Sequence, residues 1–172
     1  MAITLHSATV PVCQHMLGNL LYILDKAEAW ATERKIDPAA LTTFRLAPDM
    51  LPFTRQVLIA CDAPKLGVAR VTGLEAPKFD DTETTFAELK GRVQKTIDFL
   101  ASVTPEAING LEDKEVTFPV GREKTRTMKA EAYLKTWAMP NMFFHITTAY
   151  AILRHNGVPL GKGDYLVGAA AG

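Results

Sequence analysis

Serine and cysteine are scarce in this chain, with two of each among 172 residues. Neither Ser7 nor Ser102 sits in a G-x-S-x-G elbow, so that serine-hydrolase arrangement is absent. Cys13 and Cys61 lie far apart and no CxxC occurs, which excludes a zinc ribbon and a thioredoxin-like redox pair. In Cys13-x-His15 the two side chains would stand about 200° apart on a helix, too far round to work as nucleophile and base. Cysteine poverty suits a reducing compartment. Charge of one sign is missing too. The 19 basic residues balance 19 acidic ones, so no overall basic field attracts nucleic acid or an anionic membrane. No apolar run approaches the roughly 20 residues of a membrane span. The opening residues 1–7 carry neither the basic nor the apolar stretch of a signal peptide. The expectation is a cytoplasmic protein with no nucleic-acid partner and no membrane association.

Against these absences stand 48% hydrophobic and 22% charged residues, the balance of an ordinary globular chain. A chain of this mass can bury roughly 70% of its surface, enough for a core without staples. One domain over residues 1–167 is expected, with 168–172, small and featureless, as a frayed tail. From about Pro11 to Arg34, Cys13, Leu17, Leu20, Leu24, Ala27 and Ala31 recur at three- and four-residue steps and predict a first helix. Pro38 and Pro48 mark a connection. Asp49 is the expected N-cap of a second helix through Phe53, Val57, Leu58 and Cys61, which Pro64 should kink or end. An irregular link follows over 73–81. Phe86, Leu89, Val93, Ile97 and Leu100 share one face of a third helix, with Glu88, Lys90, Arg92 and Lys95 pointing elsewhere; Thr84 or Thr85 caps it.

The period then changes from helical to alternating. Val116, Phe118 and Val120 alternate, residues 121–124 read as a turn, and 125–129 complete a β-hairpin. A short helical segment is expected over 130–138. Pro140 then opens a fourth helix that ends at Gly157, ahead of Pro159. The pattern predicts an all-α protein, an antiparallel four-helix bundle with a long crossover connection after the second helix and a small hairpin before the last.

Candidate chemistry is sparse. The run from Gly157 to Gly163 has one residue too few between its glycines for a phosphate loop and follows a helix, so a turn is the plainer reading. Arg122, Lys124, Arg126 and Lys129 decorate the hairpin, where a solvated surface is favoured over an anion site. HExxH is absent. His145 lies at the edge of the fourth helix's apolar stripe, one turn after Asn141, so the two can face a common cavity. A lone histidine of this kind is more often a hydrogen-bonded interior residue than a metal ligand. His15 lies beside the core face of the first helix, and His155 sits at a helix end, where it suits the dipole.

The segment from Phe144-His145 through Leu153-Arg154-x-x-Gly157 resembles the last helix of DinB-like proteins. Asp49-Met50, Gln56, Ala149-Tyr150, His155, Gly157-Val158 and Asp164-Tyr165 extend the resemblance over nearly the whole chain, to a subgroup known only as a domain of unknown function. The resemblance implies a four-helix bundle with a long crossover, and a site where relatives place three histidines for nickel or zinc. His145 falls on one of those positions, Asn141 on the second and Gln56 on the third. Carboxamide oxygens are weak ligands for such metals. The favoured expectation is therefore a non-catalytic or ligand-binding bundle with a degenerate metal pocket at Gln56, Asn141 and His145, without cofactor, and with a small molecule as ligand. The alternative is a hydrolase or transferase using His145 as base or lone metal ligand, assisted by Tyr150, Asp49, Asp62 or His15. Trp30, at the rim of the first helix's stripe, suggests a homodimer.

Overall fold

The computed structural model describes residues 3–121 and 123–171, so Arg122 of the expected turn and Gly172 of the expected tail lie outside the described residues. The protein is mostly helical with one antiparallel two-stranded hairpin.

Helix α1 (Leu5–Glu33) starts six residues before Pro11. Thr4 and Ser7 explain this by capping each other: the Ser7 N–H donates to Thr4 Oγ1 at 3.1 Å, and the Thr4 N–H donates to Ser7 Oγ at 2.9 Å. Pro11 is then an exposed interior position, where water can meet the carbonyl it leaves unpaired. A short α2 (Pro38–Thr42), capped by Asp37, occupies the proline-rich connection. Helix α3 (Phe53–Thr72) is preceded by Pro52, not capped by Asp49, and it passes through Pro64 without ending. A buried proline in a helix interior costs about 3 kcal/mol. Here the turns beyond it carry Val68 and Val71 into the core, which offsets that cost.

Helix α4 (Phe86–Ala101) begins as its sequence predicts, with Thr85 and Glu88 in a reciprocal capping box. Backbone N–H groups of Thr84 and Thr85 donate to the Glu88 carboxylate and hold its pKa down at about 2. After a single turn, α5 (Pro105–Ile108), the hairpin pairs β1 (Glu115–Pro119) with β2 (Thr125–Lys129), Phe118 opposite Arg126. The next stretch is one continuous rod: α6 (Ala130–Tyr133), a π turn over Leu134–Ala138, and α7 (Met139–His155). The π turn has a local cause. Pro140 offers no N–H, and the Met139 N–H reaches back five residues to the Leu134 carbonyl. Gly157, at φ 92°, supplies the left-handed turn after α7. Two elements follow that the sequence did not predict: α8 (Lys162–Val167) and, where a frayed tail was expected, a 3-10 turn over Gly168–Ala171 packed on Asn19.

The four long helices enclose the core in the cyclic order α1, α4, α3, α7. Lys90 meets Asp25 and Glu28, while His6 meets the Val103 carbonyl, so α1 and α4 are antiparallel. Gln56 meets His145, while Gly67 meets Ala138, so α3 and α7 are antiparallel. Phe53 lies against Phe86 and Asp62 against Arg92, so α3 and α4 run parallel. The link over 73–85 must therefore return along roughly 24 Å of α4, well within the reach of its residues.

Candidate functional site

The last long helix brings His145 against the first turn of α3. There His145 Nδ1 and Gln56 Oε1 lie 2.6 Å apart, both side chains buried. The amide orientation settles the roles. Gln56 Nε2 donates to the Leu51 carbonyl at 2.9 Å, so its oxygen is the end that faces the ring. Nδ1 must then carry the proton and donate, and Nε2 keeps a lone pair. Burial lowers the His145 pKa below its ordinary value, which favours this neutral form. Phe144 stands edge-on to the imidazole, ring centroids 5.1 Å apart, and is itself 56% exposed.

The remaining expected site residues are not gathered around this pair. Asn141, one turn earlier, is half-buried and lines a separate cavity with Ile59, Ala63 and Trp137. His15 donates from Nε2 to the Leu166 carbonyl at 2.7 Å, fastening α8 to α1. Tyr150 packs edge-on against Tyr165 on the same α7–α8 side. Asp49 is exposed in the turn before α3. Of the six residues singled out, the structure joins Gln56 and His145 directly. Trp30 is not a free face either. Its ring covers Gly157 and lies under the Arg34 guanidinium.

A nickel or zinc ion does not fit this set. One imidazole is present, its Nδ1 is engaged by an amide, and the neutral amide oxygens of Gln56 and Asn141 would be poor replacements for histidine nitrogen. Among the described residues no three His, Cys, Asp or Glu side chains converge as a metal site. Both cysteines are buried, and burial pushes their thiols up to about 12, far from a reactive thiolate at neutral pH.

The structure also holds a charged cluster that the sequence reading missed. Arg92, expected to point away from the apolar face of its helix, has a side chain only 1% exposed. Its NH2 donates to Asp62 Oδ2 at 2.8 Å, and NH1 donates to Asp81 at 2.7 Å and Glu83 at 3.0 Å. Lys65 adds a contact to Asp62 at 2.7 Å, and the Phe79 ring lies under both cations. The cluster ties the returning link, through Asp81 and Glu83, to α3 and α4. Burial would raise the Asp81 carboxyl, but the Arg92 hydrogen bond and charge outweigh it and hold the pKa below its usual value. A signal was present in the sequence: Arg92 falls three residues after Leu89 and four before Thr96, both buried, so it sits on the inward stripe.

Helix order, the hairpin before α7 and the position of His145 define a protein of the DinB-like fold. The comparisons narrow this to a family. The family model for a domain of unknown function, DUF1993, matches residues 5–166, and the chain belongs to that family. A crystal structure of a DinB family member protein from Shewanella denitrificans is 43% identical, covers 94% of this chain and 91% of its own, and superposes with a TM-score of 0.85. No curated protein matches. No helix among the described residues is long and apolar enough to cross a membrane.

Proposed function

We propose that the four long helices form a DinB-like bundle, with residues 73–85 as its crossover, and that the protein binds a small molecule beside a degenerate metal position. The observation that carries this reading is the 2.6 Å contact between His145 Nδ1 and Gln56 Oε1, which commits both groups to each other instead of to an ion. The buried, unpaired Cys13 and Cys61 suit cytoplasmic residence. A homodimer belongs to the same reading, with Phe144 as the large exposed apolar side chain that the long helices offer.

The test is elemental analysis of tag-free protein after dialysis against a weak chelator. Less than a tenth of an equivalent of nickel or zinc, on the order of adventitious binding, is expected. A full equivalent that disappears in His145→Ala refutes the reading. One observation favours the alternative of a hydrolase or transferase: His145 Nε2 has a free lone pair on a ring that burial keeps neutral, as a general base requires.

A further inference from the structure

The cavity beside Asn141 measures about 260 Å³ and lies between α3, the π turn, the start of α7 and the end of β1. That is slightly below the usual size for drug-sized ligands and leaves room for a single-ring compound. The apolar walls are Ile59, Leu66, Pro119 and the rings of Tyr133 and Trp137, with Asp62, Arg70 and Asn141 as the polar groups. The π turn matters here because it shapes the stretch of rod that carries Trp137 at the cavity wall. Such turns occur often at functional sites.

The polar groups are not equivalent. Asp62 already faces Arg92 at 2.8 Å and Lys65 at 2.7 Å, so its charge is offset. Arg70 is held differently. Its NH1 donates to the hydroxyl of buried Tyr133 at 2.8 Å, a neutral partner, and among the described residues no carboxylate lies within ion-pair distance of it. A half-buried guanidinium, fixed in place but without an anion, has donors left for one. Asn141 brings an amide to the same space, free of any hydrogen bond within the described residues.

We infer that this cavity binds a single-ring aromatic carboxylate, its ring against Trp137 and Leu66 and its carboxylate on Arg70. The inference rests on the small-molecule reading above and names the ligand class.

The chain has two tryptophans, so Trp30→Phe leaves Trp137 as sole reporter. That variant is titrated with benzoate, benzylamine and benzyl alcohol while Trp137 emission is followed. Benzoate is expected to change the emission saturably, with a dissociation constant on the order of 1 mM, as suits so small a ligand. Benzylamine and benzyl alcohol should bind at least tenfold more weakly. Arg70→Gln should weaken benzoate at least tenfold. Ala63→Leu, which fills the cavity and leaves Arg70 intact, should abolish binding even if the Arg70 variant folds poorly. Equal response to all three probes overturns the carboxylate assignment, as does preference for benzylamine. No response up to about 10 mM overturns the cavity as a binding site for this class. The metal assay stands apart from every one of these outcomes, so a failed ligand and a failed degenerate-site reading are told apart.

Discussion

If the His145–Gln56 contact is a buried hydrogen bond closing the site, removing both partners must cost less than the two single removals added together. In His145→Leu, Gln56 Oε1 is left buried with no donor; in Gln56→Leu, the imidazole Nδ1–H is left with no acceptor. Each orphaned group costs about 1–3 kcal/mol. The Leu51 carbonyl freed in Gln56→Leu belongs to an exposed residue, so water can take over that bond. In the double variant two apolar side chains face each other and neither orphan exists. The double should therefore cost less than the sum of the singles by about 2–6 kcal/mol, the two orphan penalties together. For a chain of this length, each 1 kcal/mol moves the melting temperature by roughly 2–4 °C. The assay is reversible urea unfolding of all four proteins at pH 8, where neutral imidazole dominates. Singles that add to the double within about 0.5 kcal/mol would refute the idea that this bond locks the site. A single variant more stable than wild type would point instead to a strained, functional group.

Three further expectations follow from the same structure. Because burial lowers the His145 pKa, the unfolded chain takes up a proton more readily than the folded one, so this contribution to stability is complete above about pH 6.5 and declines as pH falls towards the lowered value; urea midpoints from pH 8 to 5 should show a slope that is shallower in His145→Leu, and an unaltered slope contradicts it. Arg92→Met leaves Asp62, Asp81 and Glu83 without their common cation; about 3 kcal/mol should be lost, the low end for a buried pair because Asp81 is partly screened by solvent, and trypsin should cut the link at Lys78 faster. Unchanged stability and cleavage would show that the cluster does not fasten the link. Light scattering at tens of micromolar, about the upper range of ordinary assembly affinities, should show a dimer that Phe144→Ser reverts to monomer; a monomer in both removes the dimer from the proposal.

Much of the helical pattern could be read in the residues because local and global signals agreed. The Leu89, Val93 and Leu100 stripe and the Thr85–Glu88 box both name α4, and the alternation of Val116 and Phe118 names β1. The reading failed where a tertiary partner decides. The true start of α1 carries no familiar sequence signal, because Ser7, not Glu or Gln, completes its capping box. Pro64 leaves a kink and an end of α3 equally open in the sequence, and packing on both sides of it carries the helix through to Thr72. The burial of Arg92 has no local signal in its partners, because its three carboxylates come from α3 and from a link with no periodic pattern of its own. At the site, the resemblance matched Gln56, Asn141 and His145 to one set of positions; the structure brings Gln56 and His145 together and turns Asn141 to another cavity. One helical turn of separation allows a shared face without requiring a shared pocket.

Gln56 and His145 are 89 residues apart in the chain. At roughly 5–20 residues per second, a ribosome makes the second about 4–18 s after the first. Once Ala101 has been made, α1, α3 and α4 can all exist, while the face of α3 that carries Gln56 and Gly67 has nothing to close upon until the last helix follows. The last long helix thus sets the moment at which the nascent chain stops displaying apolar surface.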